Sequence, residues 1–233
     1  MITIQKQRRS RKSEPPPLEN GDHLDQKTFH ERYEAMPPNV RAELIGGIVY
    51  MSSPQKPRHG RYHFKLNRWL DEYEEATPGC EGYVNTTQIL GNDAEPQPDA
   101  CLLILPDFGG QTWTDKRGYM AGSPEWLGEI SDSTESIDLH AKKKDYEDGG
   151  VREYMVAAVR TQQVFRFVRR RGKLKELEPG TDGIFRSEVF PGLWLDPDAF
   201  LKRNNKRLLA VLRQGLASPE HAAFVAKLAA KKA

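Results

Sequence analysis

Four residues have the types and settings to do chemistry together. Glu129 sits inside the apolar run "EWLGEIS", Asp99 follows Pro98 at the mouth of "ACLLIL", Glu43 opens "ELIGGIVYM", and Lys142 begins a lysine triplet in "DLHAKKKDY". Side chains alternate along a strand, so Glu129 and Ser131 share one face while Gly128 and Ile130 share the other. If the strands of Asp99 and Glu129 are neighbours, ~5 Å apart, their carboxylates converge on one hard divalent cation. A lone buried carboxylate is costly, whereas two around Mg²⁺ are compensated. On a helix, Asp138, Lys142 and Tyr146 fall on one face at i, i+4 and i+8, and Lys143 and Lys144 turn away. Acids around a cation with a nearby lysine suit metal-assisted hydrolysis of a phosphodiester, in which the lysine orients the water or stabilises charge developing on phosphorus. The same spacing also suits a structural ion pair on a solvated helix face.

Other chemistries lack their local signatures. The sequence has no phosphate-binding loop ending in Lys-Ser/Thr, no G-x-G-x-x-G and no G-x-S-x-G. His59 and His63 are four apart, but no glutamate follows His59 as zinc proteases require, so the pair reads as a coincidence of the helix surface. Cys80 and Cys101 are the only cysteines, too few for a disulfide scaffold or a four-thiolate zinc site.

The elements that would position these residues can be read from punctuation and periodicity. "KTFHERYEAM" reads as a short helix stopped by Pro37-Pro38. Gly46-Gly47 between two apolar runs signals a two-residue hairpin. From His59 to Ala76, Tyr62, Leu66, Trp69, Leu70 and Tyr73 recur at helical spacing, so one face packs on a sheet. "GYVNTTQIL", "PDACLLIL" and "EWLGEIS" read as strands, and the loop from Pro106 to Pro124 is long enough to cover a site. A helix is expected from Ser136, as N-cap, to Asp148, closed by Gly149-Gly150. "VREYMVAAV", "QQVFRFVRRR" and "GIFRSEVFPGLWL" follow as β segments, with the arginines of Arg166 to Lys173 on the solvent face of an exposed hairpin. From Pro197 the pattern is helical, with Leu201, Leu208, Leu209, Leu212 and Leu216 on one stripe, and Pro219 starts a last basic helix.

The 233 residues accommodate one α/β core with appendages. With 35 Lys+Arg against 33 Asp+Glu the formal charge is +2, so any face for a polyanion must be local. Residues 1–26 are polar, basic and proline-rich and are expected to form a flexible tail, with Lys6 to Lys12 as its basic cluster. No stretch has the length and apolarity of a signal peptide or a membrane span, so a soluble, cytoplasmic protein is expected.

Taken together, "EISDSTESID" followed by Lys142, Tyr146 and "GVREY", the block "ELIGGIVYMSSP" with the ensuing His59, the strand "QPDACLL" and the late "FPGLWL" resemble the Uma-two family of restriction-endonuclease-like proteins, within the PD-(D/E)XK nuclease superfamily. The resemblance spans about residues 28–200. It implies an α/β fold of the α+β type, a restriction-endonuclease-like mixed β-sheet flanked by helices, over residues 27–200, with C-terminal helices over 201–233. It also implies that Asp99 and Glu129 bind the metal, that Glu43 and Lys142 complete the catalytic set, and that His59, Ser131, Asp138 and Tyr146 support the site or position substrate. In the wider superfamily the lysine comes two residues after the second acid; that position is Ser131 here, so the cation would reach in from the helix. Gly46 and Ile48 stand where the family has acids, and Met155 where an aromatic is common. The implied cofactor is Mg²⁺, with Mn²⁺ as a substitute. The implied partner is nucleic acid, DNA above all, with no membrane and with a homodimer as one assembly. The competing expectations are a non-catalytic module that keeps the fold and grips nucleic acid with "RFVRRRGK" and the basic tail, and hydrolysis of a smaller phosphodiester.

Overall fold

The computed structural model describes residues 14–232. Helix α1 (Gln26–Glu34) starts at Asp25, whose carboxylate accepts from the Thr28 amide at 2.7 Å. Strands β1 (Ala42–Ile45) and β2 (Ile48–Met51) form the expected hairpin, with Gly46 and Gly47 at φ 56° and 75°. Helix α2 (Pro57–Glu75) buries Tyr62, Leu66, Trp69, Leu70 and Tyr73, the five residues its periodicity marks. Strands β3 (Cys80–Val84), β4 (Gln88–Ile89), β5 (Ala100–Ile104), β6 (Thr112–Thr114), β7 (Met120–Gly122) and β8 (Trp126–Ser131) follow. Helices α3 (Glu135–Ile137) and α4 (Lys143–Gly149) are joined by a π turn over Asp138–Lys142. Then come β9 (Glu153–Ala158), β10 (Gln163–Arg170), β11 (Lys173–Glu176), β12 (Phe185–Arg186) and β13 (Trp194–Leu195), and helices α5 (Pro197–Leu201), α6 (Asn205–Leu216) and α7 (Pro219–Lys232).

The centre is a six-stranded sheet ordered β11-β10-β9-β8-β5-β3. Its β8–β9 pair is parallel and the other pairs are antiparallel, so the sheet is mixed. Strands β5, β8 and β9 are buried along their whole length, as strands covered on both faces must be. On one face Ala100, Leu102, Trp126 and Ile130 pack under α2 and the C-terminal helices. On the other, Cys101, Leu103 and Leu127 pack with Tyr146, Tyr154 and Phe167. Alternation along β5 and β8 therefore sends successive residues into two separate cores. The C-terminal helices cover the α2 layer: Tyr62 donates to the Leu201 carbonyl at 2.7 Å, and the Thr77 hydroxyl meets His221 Nε2 at 2.9 Å.

Four expectations are corrected. Leu18 to Asp25 are packed rather than tail-like: Leu18 joins the cluster of Phe29, Leu44 and Val49, and the Gly21 and Leu24 amides donate to the Val49 and Gly47 carbonyls at 2.8 Å. Pairing along the edge of β2 outweighs the polar composition of this stretch. The cluster Lys6 to Lys12 lies outside the described residues. The segment 106–124 does not arch over a site but carries β6 and β7, joins β4 in a small sheet, and buries Met120 in the second core. The helix expected from Ser136 begins instead after Thr134.

Arg166 is the fourth correction. It is fully buried, with its Nη2 2.9 Å from Glu153 Oε2, instead of facing solvent. Arg166 lies opposite Met155 in the β9–β10 register, so Glu153 is its diagonal neighbour on the same face. Pairing with Glu153 offsets part of the cost of this burial, though Nε and Nη1 of Arg166 have no partner, and alternation alone reveals none of this. Among the described residues no helix is long and apolar enough to cross a membrane.

Candidate active site

Strands β5 and β8 are hydrogen-bonded neighbours, with Ala100 opposite Gly128. One step further along this antiparallel register sets Asp99 opposite Glu129, the juxtaposition on which the sequence argument depends. The Asp99 carboxylate is locked at the strand mouth: Oδ2 accepts from the Ile130 amide at 2.7 Å and lies 3.1 Å from His59 Nε2. Glu129 projects toward the second core, where Tyr146 donates to Oε1 at 2.6 Å and Lys142 Nζ to the same atom at 3.1 Å.

Lys142 reaches these acids from the π turn, the kind of helix widening often found at functional sites. Its ammonium bridges two strands, meeting Glu43 Oε1 at 2.8 Å as well as Glu129. Glu43 Oε1 also accepts from the Gln97 amide at 2.7 Å, which ties β1 to the chain leading into Asp99. Asp138, Lys142 and Tyr146 are all buried, whereas Lys144 is exposed and Lys143 lies over the Phe167 ring. The four acid and lysine positions singled out by pattern thus converge, with Lys142 contacting Glu43 and Glu129 and Asp99 held by α2.

The supporting residues divide. Asp138 accepts from Thr134 Oγ1 at 2.5 Å, and its backbone carbonyl accepts from Tyr154 at 3.0 Å. The Ser131 hydroxyl lies 3.5 Å from Thr134 Oγ1 and also hydrogen-bonds the Asp138 carboxyl, opposing its rise. His63, read from the sequence as a surface coincidence, instead lies 2.7 Å from the Asp99 carbonyl through Nε2. The helix turn that carries His59 places His63 beside it, so His59, His63 and Asp99 form a group whose donor atoms lie within 4.8 Å of one another. Thr134, Tyr154 and the Gln97 amide were not marked by the sequence. Only Tyr154, in phase with the apolar residues of "VREYMVAAV", carried a signal that could have found it.

Charge is concentrated here. Glu43, Asp99, Glu129 and Asp138 lie near one buried lysine, Lys142, and two imidazoles, His59 and His63. Burial raises the Glu129 carboxyl well above its ordinary value, with Lys142 opposing and the neighbouring acids adding to the rise. Burial likewise raises Asp138. Burial alone would lower the Lys142 ammonium, but Glu129, Glu43 and Asp138 outweigh it and hold the ammonium charged. Desolvation is the largest single influence on Asp99 and would raise it, but the hydrogen bond and charge of His59, the Ile130 amide and His63 together hold the carboxyl low. Desolvation likewise opposes the His59 imidazolium, which the Asp99 hydrogen bond and the charges of Asp99, Asp132 and Asp138 together raise.

The donor set fits a divalent cation. Among the described residues neither Asp99 Oδ1 nor Glu129 Oε2 accepts a hydrogen bond, which leaves one oxygen on each of two adjacent strand carboxylates for a ligand. Surplus negative charge with free oxygens is the setting in which Mg²⁺ or Mn²⁺ binds through one or two carboxylates and water.

A mixed sheet flanked by helices, with acids at the ends of adjacent central strands, is a nuclease-like α+β fold. Such a fold is also seen in a crystal structure described as a "putative nuclease belonging to DUF820" from Anabaena variabilis, which superposes with a TM-score of 0.52 at 13% identity, covering 78% of this chain and 97% of the other. Residues 28–198 match the family model Uma2, described as "Putative restriction endonuclease", and the chain belongs to that family. No curated protein sequence matches it significantly.

Proposed function

We propose that this chain is a metal-dependent nuclease of the PD-(D/E)XK type that hydrolyses phosphodiester bonds in DNA, with Asp99 and Glu129 as ligands of Mg²⁺ or Mn²⁺. The observation that carries the reading is the bridging of Glu129 and Glu43 by the buried Lys142 ammonium, beside a free carboxylate oxygen on each of Glu129 and Asp99. A divalent cation bound there would neutralise non-bridging phosphate oxygens and lower the pKa of a water. Lys142 holds a fixed positive charge at the same edge, ready to orient the attacking water or meet charge developing on phosphorus. Glu43 and Tyr146 hold Lys142 and Glu129 in register, and His59 holds Asp99 with its free oxygen outward.

Incubating plasmid DNA with the purified protein and Mg²⁺ or Mn²⁺ tests the reading. Cleavage should require the metal and fall at least 100-fold in Glu129→Ala and Lys142→Ala, the scale of losing one electrostatic catalytic group. Equal cleavage by wild type and both variants would point to a contaminant and defeat the assignment.

A further inference from the structure

Helix α2 carries its charges in the reverse of the order that would stabilise it. Its N-terminal part, "PRHGRYHFKLNRWL", holds Arg58, Arg61, Lys65 and Arg68 with no acid, and its C-terminal part, "DEYEE", holds only acids. The helix dipole favours acids first and cations last, so helix stability does not account for this order. At spacings of three, four and three, the four cations form one stripe along a single helix flank. They run ten residues, about 15 Å, on the scale of a few phosphates of a nucleic-acid backbone.

The stripe is gathered rather than scattered. Arg58 and Arg61 line a depression of about 330 Å³ with Tyr62 and Arg203, the latter from the turn between α5 and α6. Burial, with the like charges of Arg203, Arg61 and Arg68, depresses the Lys65 ammonium. Arg58 pairs with Asp132, directly after β8, which ties the start of the stripe to the rim of the candidate active site. Several nearby cations have partners: Lys202 with Asp198, Arg207 with Asp196 and Arg213 with Glu72. Among the described residues Arg61, Lys65, Arg68 and Arg203 have no carboxylate within 4.0 Å. Phe64, 73% exposed between Arg61 and Arg68 in sequence, adds a ring face on which a base or sugar can lie.

We infer that this flank of α2, with Arg203, is the docking surface for the phosphate backbone of the nucleic acid, on the side of α2 away from the His59 and His63 that face Asp99. The inference rests on the nuclease reading but is tested through binding. Arg61, Lys65, Arg68 and Arg203 make the phosphate contacts, and Arg58, paired with Asp132, joins the start of the stripe to the end of β8.

Fluorescence anisotropy of a labelled DNA duplex over a salt series, with Ca²⁺ replacing Mg²⁺, reads the grip directly. Arg61→Ala, Lys65→Ala and Arg203→Ala should each weaken binding and reduce the slope of log K against log salt by about 0.9, and the triple variant by nearly three times that. Arg207→Ala, which removes a paired surface arginine, should leave the slope unchanged, and circular dichroism confirms that each variant is folded. A triple variant that keeps the wild-type slope and affinity would overturn the docking surface, as would equal losses in Arg207→Ala. Metal-dependent cleavage that Glu129→Ala abolishes would still support the nuclease reading in either case.

Discussion

Lys142→Met is the substitution that most directly probes how the site is held. The ammonium lies 2.8 Å from Glu43 and 3.1 Å from Glu129, with the lysine and Glu129 side chains only 7% and 5% exposed. At an effective dielectric of about 20 these contacts are worth about 6 and about 5 kcal/mol before desolvation is subtracted. Removing one partner of a buried pair costs about 3–5 kcal/mol net, because the remaining charge is left uncompensated. For a chain of this size that corresponds to a drop in Tm of roughly 6–20 °C.

The loss should depend on pH. In the variant Glu129 keeps every influence that raises its carboxyl (burial, Asp138, Asp99 and Glu43) and loses the lysine that lowered it. A folded-state pKa above the unfolded value gives stability that is full below the ordinary carboxylate range and is lost as pH rises through the folded value. The deficit against wild type should therefore be small near pH 4.5 and largest at pH 8. Added Mg²⁺ should recover part of it, because the cation replaces the missing charge. Urea unfolding at the two pH values, with and without Mg²⁺, measures this. Equal wild-type and variant stability at pH 8 would refute the claim that Lys142 compensates buried carboxylates.

Two further outcomes follow from the same electrostatics. Burial pushes the Asp145 carboxyl from 3.8 up to about 6, against the opposing Gly46 amide bond, so its protonated form favours folding and the benefit fades as pH rises from about 4 through about 6. That rise is worth at most about 3 kcal/mol, or ~1–2 after solvent screening, and Asp145→Asn should flatten the wild-type loss of stability between pH 4 and 7 in urea titrations. Glu153 accepts from Arg166, Ser187 and the Glu188 and Val189 amides, so Glu153→Ala should cost about 3–5 kcal/mol in chemical denaturation by stranding a fully buried arginine. Glu153→Gln, which keeps most acceptor contacts, should cost less.

What the sequence disclosed follows the strength of its local signals. The α2 face, the Gly46-Gly47 hairpin and the Gly150 cap at φ 99° rest on periodicity and left-handed backbone, which are written into short stretches of chain. The Glu129–Lys142 contact was legible because both ends lie within one strand-to-helix unit. The packing of Leu18 to Asp25 on β2, the burial of Arg166 against Glu153 and the turn of His63 toward Asp99 depend on partners distant in sequence or on another strand, which no local pattern encodes. The π turn at Asp138–Lys142 escaped for a different reason: its residues read as ordinary α-helix, and only the wider turn distinguishes them.

Two sets of side chains could hold a cation here: the proposed pair Asp99 and Glu129, and the cluster of His59, His63 and Asp99. A Mn²⁺ titration followed by calorimetry separates them. The account predicts a site that Asp99→Ala and Glu129→Ala both remove and His63→Ala leaves intact. A Mn²⁺ site that survives Glu129→Ala and disappears in His63→Ala would contradict it.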